Sequence, residues 1–467
     1  MSSTFWRSPW LRSPPPSLGW ALLCVQLGLY AVALLLAANE PLFLASGERG
    51  GQGIDFFCVP KAYANLLAGR SAFDTWGAPA YGPHATWFVL HPAVAVWVGG
   101  FLWFLRPWLA YAVWVLVTLG LLAASAALIA HHARTPWRRV LVFAALLVSP
   151  LTYWLLFVGN VHAIVLFATA LLLVGLHELA EAAPPAFAVS PRWKIGMGLV
   201  LSFLSKPVLL LVVPGLLLVR ATRRPALSAL GVYGVVSAAF LLVPSLNPES
   251  VGLERLLRAI AQPGFAAREF NVYEHRFVLV PEMLDNAMHW LHMLVQSGYR
   301  WNHAQLFSLP VLLPDSVPAG VFRLLAILPL VLTVPLFWVS SSKVRLQVLA
   351  WVVLAALASH FLGYAIAWEY QYTQLLVAAA ALLALPIVTE GRPRAASLLA
   401  LGLLLLFVPT PYVWLRQGGL SPGELTVLRL FRVVPAAMLA LASVAAVVAL
   451  VRAPVVLRAP ENGSASG

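Results

Sequence analysis

The chain has 467 residues, of which 61% are hydrophobic and only 10% charged. A soluble domain carries roughly 45–50% apolar and about 25% charged residues, so a water-soluble globule is excluded, because it would expose more hydrocarbon than such a fold tolerates. The formal net charge of +13 does not indicate a nucleic-acid partner. The basic residues form no stripe or tail but short clusters between apolar stretches, as the positive-inside rule distributes them over cytoplasmic loops.

A short N-terminal segment, 1–17, carries Arg7 and Arg12 and precedes the first apolar run, 18–38. That run is too long for the core of a cleaved secretory signal, and no small-residue cleavage site precedes Pro41. It reads as a retained signal-anchor helix with its N-terminus in the cytoplasm. Further runs long enough to cross about 30 Å of hydrocarbon lie near 85–105, 108–130, 140–158, 161–180, 195–219, 225–245, 319–339, 346–366, 373–389, 395–414 and 433–451. These runs predict an all-α polytopic membrane protein with about 12 transmembrane helices. They form a single transmembrane domain over 18–458, followed by a small polar tail, 459–467, with the composition of a disordered segment. No internal repeat of the kind that marks many transporters is visible. Cys24 falls inside the first run and Cys58 outside it, so no disulfide framework is implied.

Two connections are long, 39–83 and 246–318. With the N-terminus inside, both lie outside, and the basic turns at Arg220–Arg224, Lys343–Arg345, Arg392–Arg394 and Arg452–Arg458 lie inside. In a twelve-span count Arg134, Arg138 and Arg139 face outward against the rule. A second arrangement makes 85–105 re-entrant and folds 195–219 back at Lys206-Pro207, which brings that cluster inside too. Both arrangements keep the two long loops on one face. Loops of this length in a compact protein are usually functional, and amphipathic stretches within them (59–67, 253–260, 283–294) suit the membrane surface.

Acidic residues are scarce on that face, so each is informative. Asp55 sits in Gly51-Gln52-Gly53-Ile54-Asp55-Phe56-Phe57, where desolvation beside two phenylalanines suits a general base. The alternative is a helix N-cap. Lys206 lies inside an apolar run, where a lysine costs roughly 2.5–3.5 kcal/mol and usually faces a partner or a cavity; an anion such as a lipid phosphate would account for it, the alternative being snorkelling or pairing with a helix-end carbonyl. Gly159-Asn160-Val161-His162 interrupts another run, as a double helix cap or as the lining of a polar cavity. His84 stands with His91 at the mouth of the second run. Trp368-Glu369-Tyr370-Gln371-Tyr372 is a polar, aromatic break between spans, whose rings an interfacial belt explains but whose Glu369 and Gln371 it does not. Tyr273-Glu274-His275-Arg276 could bind phosphate or be a solvated loop cluster. No paired-histidine, cysteine-cluster or Walker pattern is present, so neither a metal nor a nucleotide cofactor is expected.

In family order, these motifs resemble the polyprenol-phosphate-sugar-dependent glycosyltransferases of the GT-C fold, most closely glycosyltransferase family 87. Asp55-Phe56 followed by Tyr63, Leu66, Gly69 and Arg70 is similar to that family's Asp-Phe turn and following helix. Tyr81-Gly82-Pro83 resembles its Tyr-Pro-Pro entry to the second span, and Gly159-Asn160-Val161-His162 its Gly-Gln-Val-Asn element. Lys206-Pro207 with the basic turn from Arg220 to Arg224 resembles its Lys-Pro helix. Trp368 to Tyr372 stands where the family often has Trp-x-His-His, with Tyr370-Gln371 replacing the histidine pair.

The resemblance implies a GT-C-like bundle with two long extracytoplasmic loops in a bacterial inner membrane. It implies transfer of a hexose, mannose as the example, from a polyprenyl-phosphate donor to a hydroxyl of a lipid or glycan acceptor, with inversion. Asp55 would be the catalytic base. Lys206, with Arg276 and His275 as weaker candidates, would hold the donor phosphate. Tyr81, His84, Asn160, His162, Glu369, Tyr370 and Gln371 would line the substrate site, and no metal would be needed. The rival readings are a carrier or flippase for lipid-linked sugars and a scaffold that kept the fold and lost the chemistry.

Overall fold

A computed structural model describes residues 53–70, 72, 75, 81–83, 88, 90–242, 308–313, 316–363, 369–385, 393–410 and 421–452. The first apolar run, residues 39–52 and some further positions of the first long loop, most of the second long loop, His84, Trp368, His275, Arg276 and the C-terminal tail lie outside the described residues. Among those described, every regular element is helical.

In chain order the helices that matter here are α1 (Cys58–Leu67), α2 (Pro92–Leu102), α3 (Pro107–His131), α4 (Pro136–Leu147), α5 (Pro150–Val158), α6 (His162–Glu181), α7 (Pro191–Phe203), α8 (Pro207–Leu218) and α9 (Arg220–Leu242). They continue with α10 (Ala319–Ala326), α11 (Leu328–Phe337), α12 (Ser342–Gly363), α13 (Thr373–Ala384), α14 (Pro393–Phe407) and α15 (Pro422–Arg452). Their starts are written locally. Proline opens α2 to α5 and α7, where its missing N–H costs nothing. Ser149 and Ser190 cap α5 and α7 by accepting the N–H groups of Thr152 and Trp193.

Among the described residues, five stretches are long and apolar enough to cross a membrane: α3, α4 with α5, α6, α12 and α15. Ser149-Pro150 divides the second of these into two helices within one span. α12 is buried along its whole apolar length and packs on α15, α6, α10, α11 and α13, so it forms the axis of the bundle. A helix apolar all round belongs at such a position. By contrast α3 leaves Trp108, Leu109 and Leu116 exposed, a surface suited to lipid.

The run 195–219 is not one span. α7 lies antiparallel on α6 through small residues: a Cβ on Gly175 would meet the Pro191 carbonyl oxygen at 2.8 Å, and one on Gly198 the Ala168 carbonyl oxygen at 2.6 Å. Backbones approach this closely in membranes only where side chains are small. The chain then turns at 204–207 and α8 runs back, since Pro225 at the start of α9 stands beside Gly196 near the start of α7. Lys206-Pro207 is therefore the tip of a hairpin. α2, at about 16 Å by helical rise, is likewise too short to cross. Both features agree with the second arrangement. The turn from α3 to α4 with Arg134, Arg138 and Arg139 then shares one end of the bundle with the starts of α9, α12 and α14 and the end of α15.

A buried ionic network closes that end. Glu178 of α6 receives Lys194 Nζ of α7 on both oxygens at 2.5 and 2.7 Å, His132 Nε2 at 2.9 Å and the Ala186 N–H at 2.8 Å. Lys343 reaches across to Glu181 at 2.9 Å.

Candidate functional site

At the opposite end, α5 stops at Gly159, whose φ of +69° is the left-handed cap that favours glycine. A helix end leaves its last carbonyls unpaired, and here tertiary donors take them. Gly53 N–H donates to Phe157 O at 2.7 Å and Asp55 N–H to Val158 O at 2.9 Å. Tyr111 Oη of α3 donates between Leu156 O (2.8 Å) and Phe157 O (3.0 Å), while Trp114 Nε1 donates to Gly159 O at 3.0 Å. The Gly53–Asp55 turn is thus stitched to the end of α5, with Phe56 and Phe57 fully buried against Tyr111 and Trp114.

This fixes a test. A Cβ on Gly159 would lie 2.7 Å from Phe56 Cβ, whereas one on Gly69, also at positive φ, would meet nothing within 4 Å. Gly69→Ala is expected to cost only its backbone strain, within about 1–3 kcal/mol, and Gly159→Ala clearly more. Thermal unfolding of both variants checks this; equal costs would mean that the Phe56 contact yields freely.

The turn brings Asp55 to Asn160. Asn160 Nδ2 donates to Asp55 Oδ2 at 2.9 Å and to Tyr370 Oη at 2.9 Å, while its Oδ1 accepts the His162 N–H at 3.0 Å. A backbone N–H can only donate, so the amide has one consistent orientation, and both its hydrogens are directed to Asp55 and Tyr370. Tyr370 belongs to the single turn Glu369–Tyr372 that leads into α13. Its ring lies 6.0 Å from Lys206 Nζ at the hairpin tip, and its edge meets the His162 ring with centroids 6.3 Å apart. The His162 ring is hydrogen-bonded by Gln374 Nε2 of α13 and by the backbone of Gln371. Lys206 stands within electrostatic reach of Asp55.

Asp55, Lys206 and Tyr370 are only half-buried, whereas Asn160, His162 and Gln374 behind them are buried. These three side chains therefore keep some accessible surface, and the polar residues behind fix them. Burial pushes the Asp55 carboxyl above the ordinary carboxylate range, and the Asn160 hydrogen bond, the Lys206 charge and Tyr370 oppose that only in part. A carboxylate so placed accepts a proton more readily than one in water.

Of the residues singled out from the sequence, Asp55, Asn160, His162, Lys206 and Tyr370 come together, with Gln371 buried alongside through its backbone. Tyr81 stands apart: its hydroxyl donates to Leu102 O (3.0 Å) and Leu105 O (2.8 Å), and its ring joins Phe57 and Trp103. Glu369 gives its carboxylate to Arg432 of α15 and to Thr410. His84, His275 and Arg276 lie outside the described residues.

Sequence reasoning missed Gln374, Arg432, Tyr111 and Trp114. The first two carried a signal, a polar residue opening an apolar run and an arginine at the edge of another. The two aromatic residues carried none, because nothing separates them from lipid-facing rings. Among the described residues no three of His, Cys, Asp and Glu gather as a metal site. Comparison with protein families, curated proteins and solved structures finds no match for this chain.

Proposed function

We propose that this chain is a membrane glycosyltransferase of the GT-C type, moving a hexose from a polyprenyl-phosphate donor to a hydroxyl of a lipid or glycan acceptor. The observation that carries the reading is that one carboxylate and one lysine stand in the same half-buried cluster without forming an ion pair with each other. Among the described residues no salt bridge engages Lys206, whose ammonium stands 6.0 Å from the Tyr370 ring, so the side chain can meet an anionic ligand beside Asp55. The resemblance of the motif order to that of family 87 supports this assignment of roles.

In the reaction the acceptor oxygen attacks the anomeric carbon as its proton passes to Asp55. The bond from that carbon to the phosphate oxygen breaks, and the lipid phosphate leaves with the electron pair. Attack opposite the leaving group inverts the centre. A phosphate needs no proton to depart, so one base suffices where glycoside hydrolysis uses two carboxylates. Lys206 holds the phosphate and stabilises the charge that grows on it. With the basic turns cytoplasmic, the cluster faces the extracytoplasmic side of a bacterial inner membrane, where a lipid-borne donor reaches it laterally.

The test is transfer from a labelled polyprenyl-phosphate sugar in membranes that contain the protein, compared with the Asp55→Asn variant; transfer that is equal in both removes the reading. Lys206→Met is expected to weaken binding of polyprenyl phosphate by about ten-fold or more, the loss of a charged anion contact. Lipid-phosphate affinity unchanged by that substitution would leave Lys206 a structural role only.

A further inference from the structure

We infer that Arg432, on the C-terminal helix α15, is a positioning residue that fixes Tyr370 beside Asp55 by clamping Glu369. The inference rests on the proposed function for its kinetic consequence but not for its geometry.

Arg432 is fully buried, and its guanidinium is used from every side. Nε donates to Glu369 Oε1 at 2.9 Å, and Nη2 reaches the same oxygen at 2.8 Å. Nη2 also donates to Thr410 Oγ1 at 2.8 Å and Nη1 to Val408 O at 3.0 Å, while Thr410 is itself hydrogen-bonded to Glu369. Three separate segments, 369, 408–410 and 432, thus converge on one planar fork, whose donor directions are rigid where a lysine's are not.

The adjoining residue is the point of the arrangement. Glu369 opens the turn whose second residue is Tyr370, and that turn is also held at its other end. There Thr373 Oγ1 donates to Tyr370 O at 2.6 Å, and Tyr372 stacks on Phe361 of α12 at 4.1 Å. With both ends fixed, the Tyr370 hydroxyl has little freedom around Asn160. A buried ion pair is a poor way to gain stability, since apolar residues of the same volume do as well or better. Holding a short polar turn in one register is a use that apolar packing serves less well, because packing is not directional.

The test uses the full chain with Cys24→Ala, so that Cys58 is its single thiol. Cys58 Sγ lies 3.3 Å from the Asp55 carbonyl and is buried, so its labelling by a small thiol reagent reports on how firmly the cluster is closed. Arg432→Met leaves the Glu369 carboxylate buried without the guanidinium charge and can fail to fold, so the decisive variant is Arg432→Met with Glu369→Gln, which removes both charges. We expect its Cys58 to label about ten-fold faster, through local opening of the turn. Its kcat should fall about ten-fold or more from misplacement of Tyr370, with KM for the lipid donor within about two-fold. Arg432→Lys should lie between this variant and the parent. Labelling at the parent rate overturns the inference, as does an unchanged kcat. If the parent shows no Asp55-dependent transfer the functional reading fails, and the labelling rate still decides whether Arg432 fixes the turn.

Discussion

Asp55→Asn is expected to lower sugar transfer by about 10²–10⁴-fold, the usual contribution of a positioned general base, while donor affinity and folding stay close to those of the parent. Asparagine keeps the shape and can still bond Tyr370. What it loses is a lone pair able to take a proton, and it turns one amide against another at Asn160. Chemistry and architecture are therefore separable at this residue, and kcat should carry the loss. The pH dependence has a definite sign. A base must be ionised to act and burial raises the Asp55 pKa, so transfer should decline as pH falls through a midpoint above the ordinary carboxylate range. A rate–pH profile measured at saturating donor checks this; a flat profile through the acid range would remove Asp55 as the base. A large fall in donor affinity with kcat intact would instead assign it to binding.

Lys194→Met should be among the most damaging substitutions for stability, though it touches nothing at the site. Lys194 and Glu178 are each 1% exposed, and the lysine contacts both carboxylate oxygens. Removing one partner of a buried pair strands the other charge, at a cost of about 3–5 kcal/mol. The remaining donors to Glu178, His132 Nε2 and the Ala186 N–H, do not replace a full positive charge. Adding Glu178→Gln should recover most of the loss, because an amide can still accept from Ala186 without a charge to neutralise. Unfolding in mixed micelles by added sodium dodecyl sulfate measures both variants. Equal stability of Lys194→Met and the parent would mean that water reaches this end of the bundle.

How much of this was legible beforehand differs by element. The runs 108–130 and 161–180 predicted α3 and α6 within a residue or two, because length and composition suffice where a helix must satisfy its own backbone in lipid. The run 195–219 misled: hydropathy sees a span of sufficient length and cannot see that the chain reverses at Lys206-Pro207. The misplaced arginines at 134–139 were the clue, since a charge rule obeyed everywhere else is informative where it breaks. At the site, Asp55, Asn160, His162, Lys206 and Tyr370 stood out because polar groups in apolar surroundings need a reason. The role of Glu369 was not legible, since its partner Arg432 lies 63 residues further on and no local pattern links them.

By itself the sequence determined the solvent, the helical class, the end of the bundle to which the basic turns belong, and the few side chains polar enough to matter. These follow from composition and spacing, which the bilayer reads residue by residue. Only the tertiary structure decided which of those side chains meet. The Gly53 turn reaches Asp55 to Asn160 by borrowing the unpaired carbonyls of α5, and the α7–α8 hairpin lifts Lys206 to Tyr370. Such contacts join positions 55, 160, 206 and 370, and they depend on packing across helices whose apolar faces are, in sequence, interchangeable.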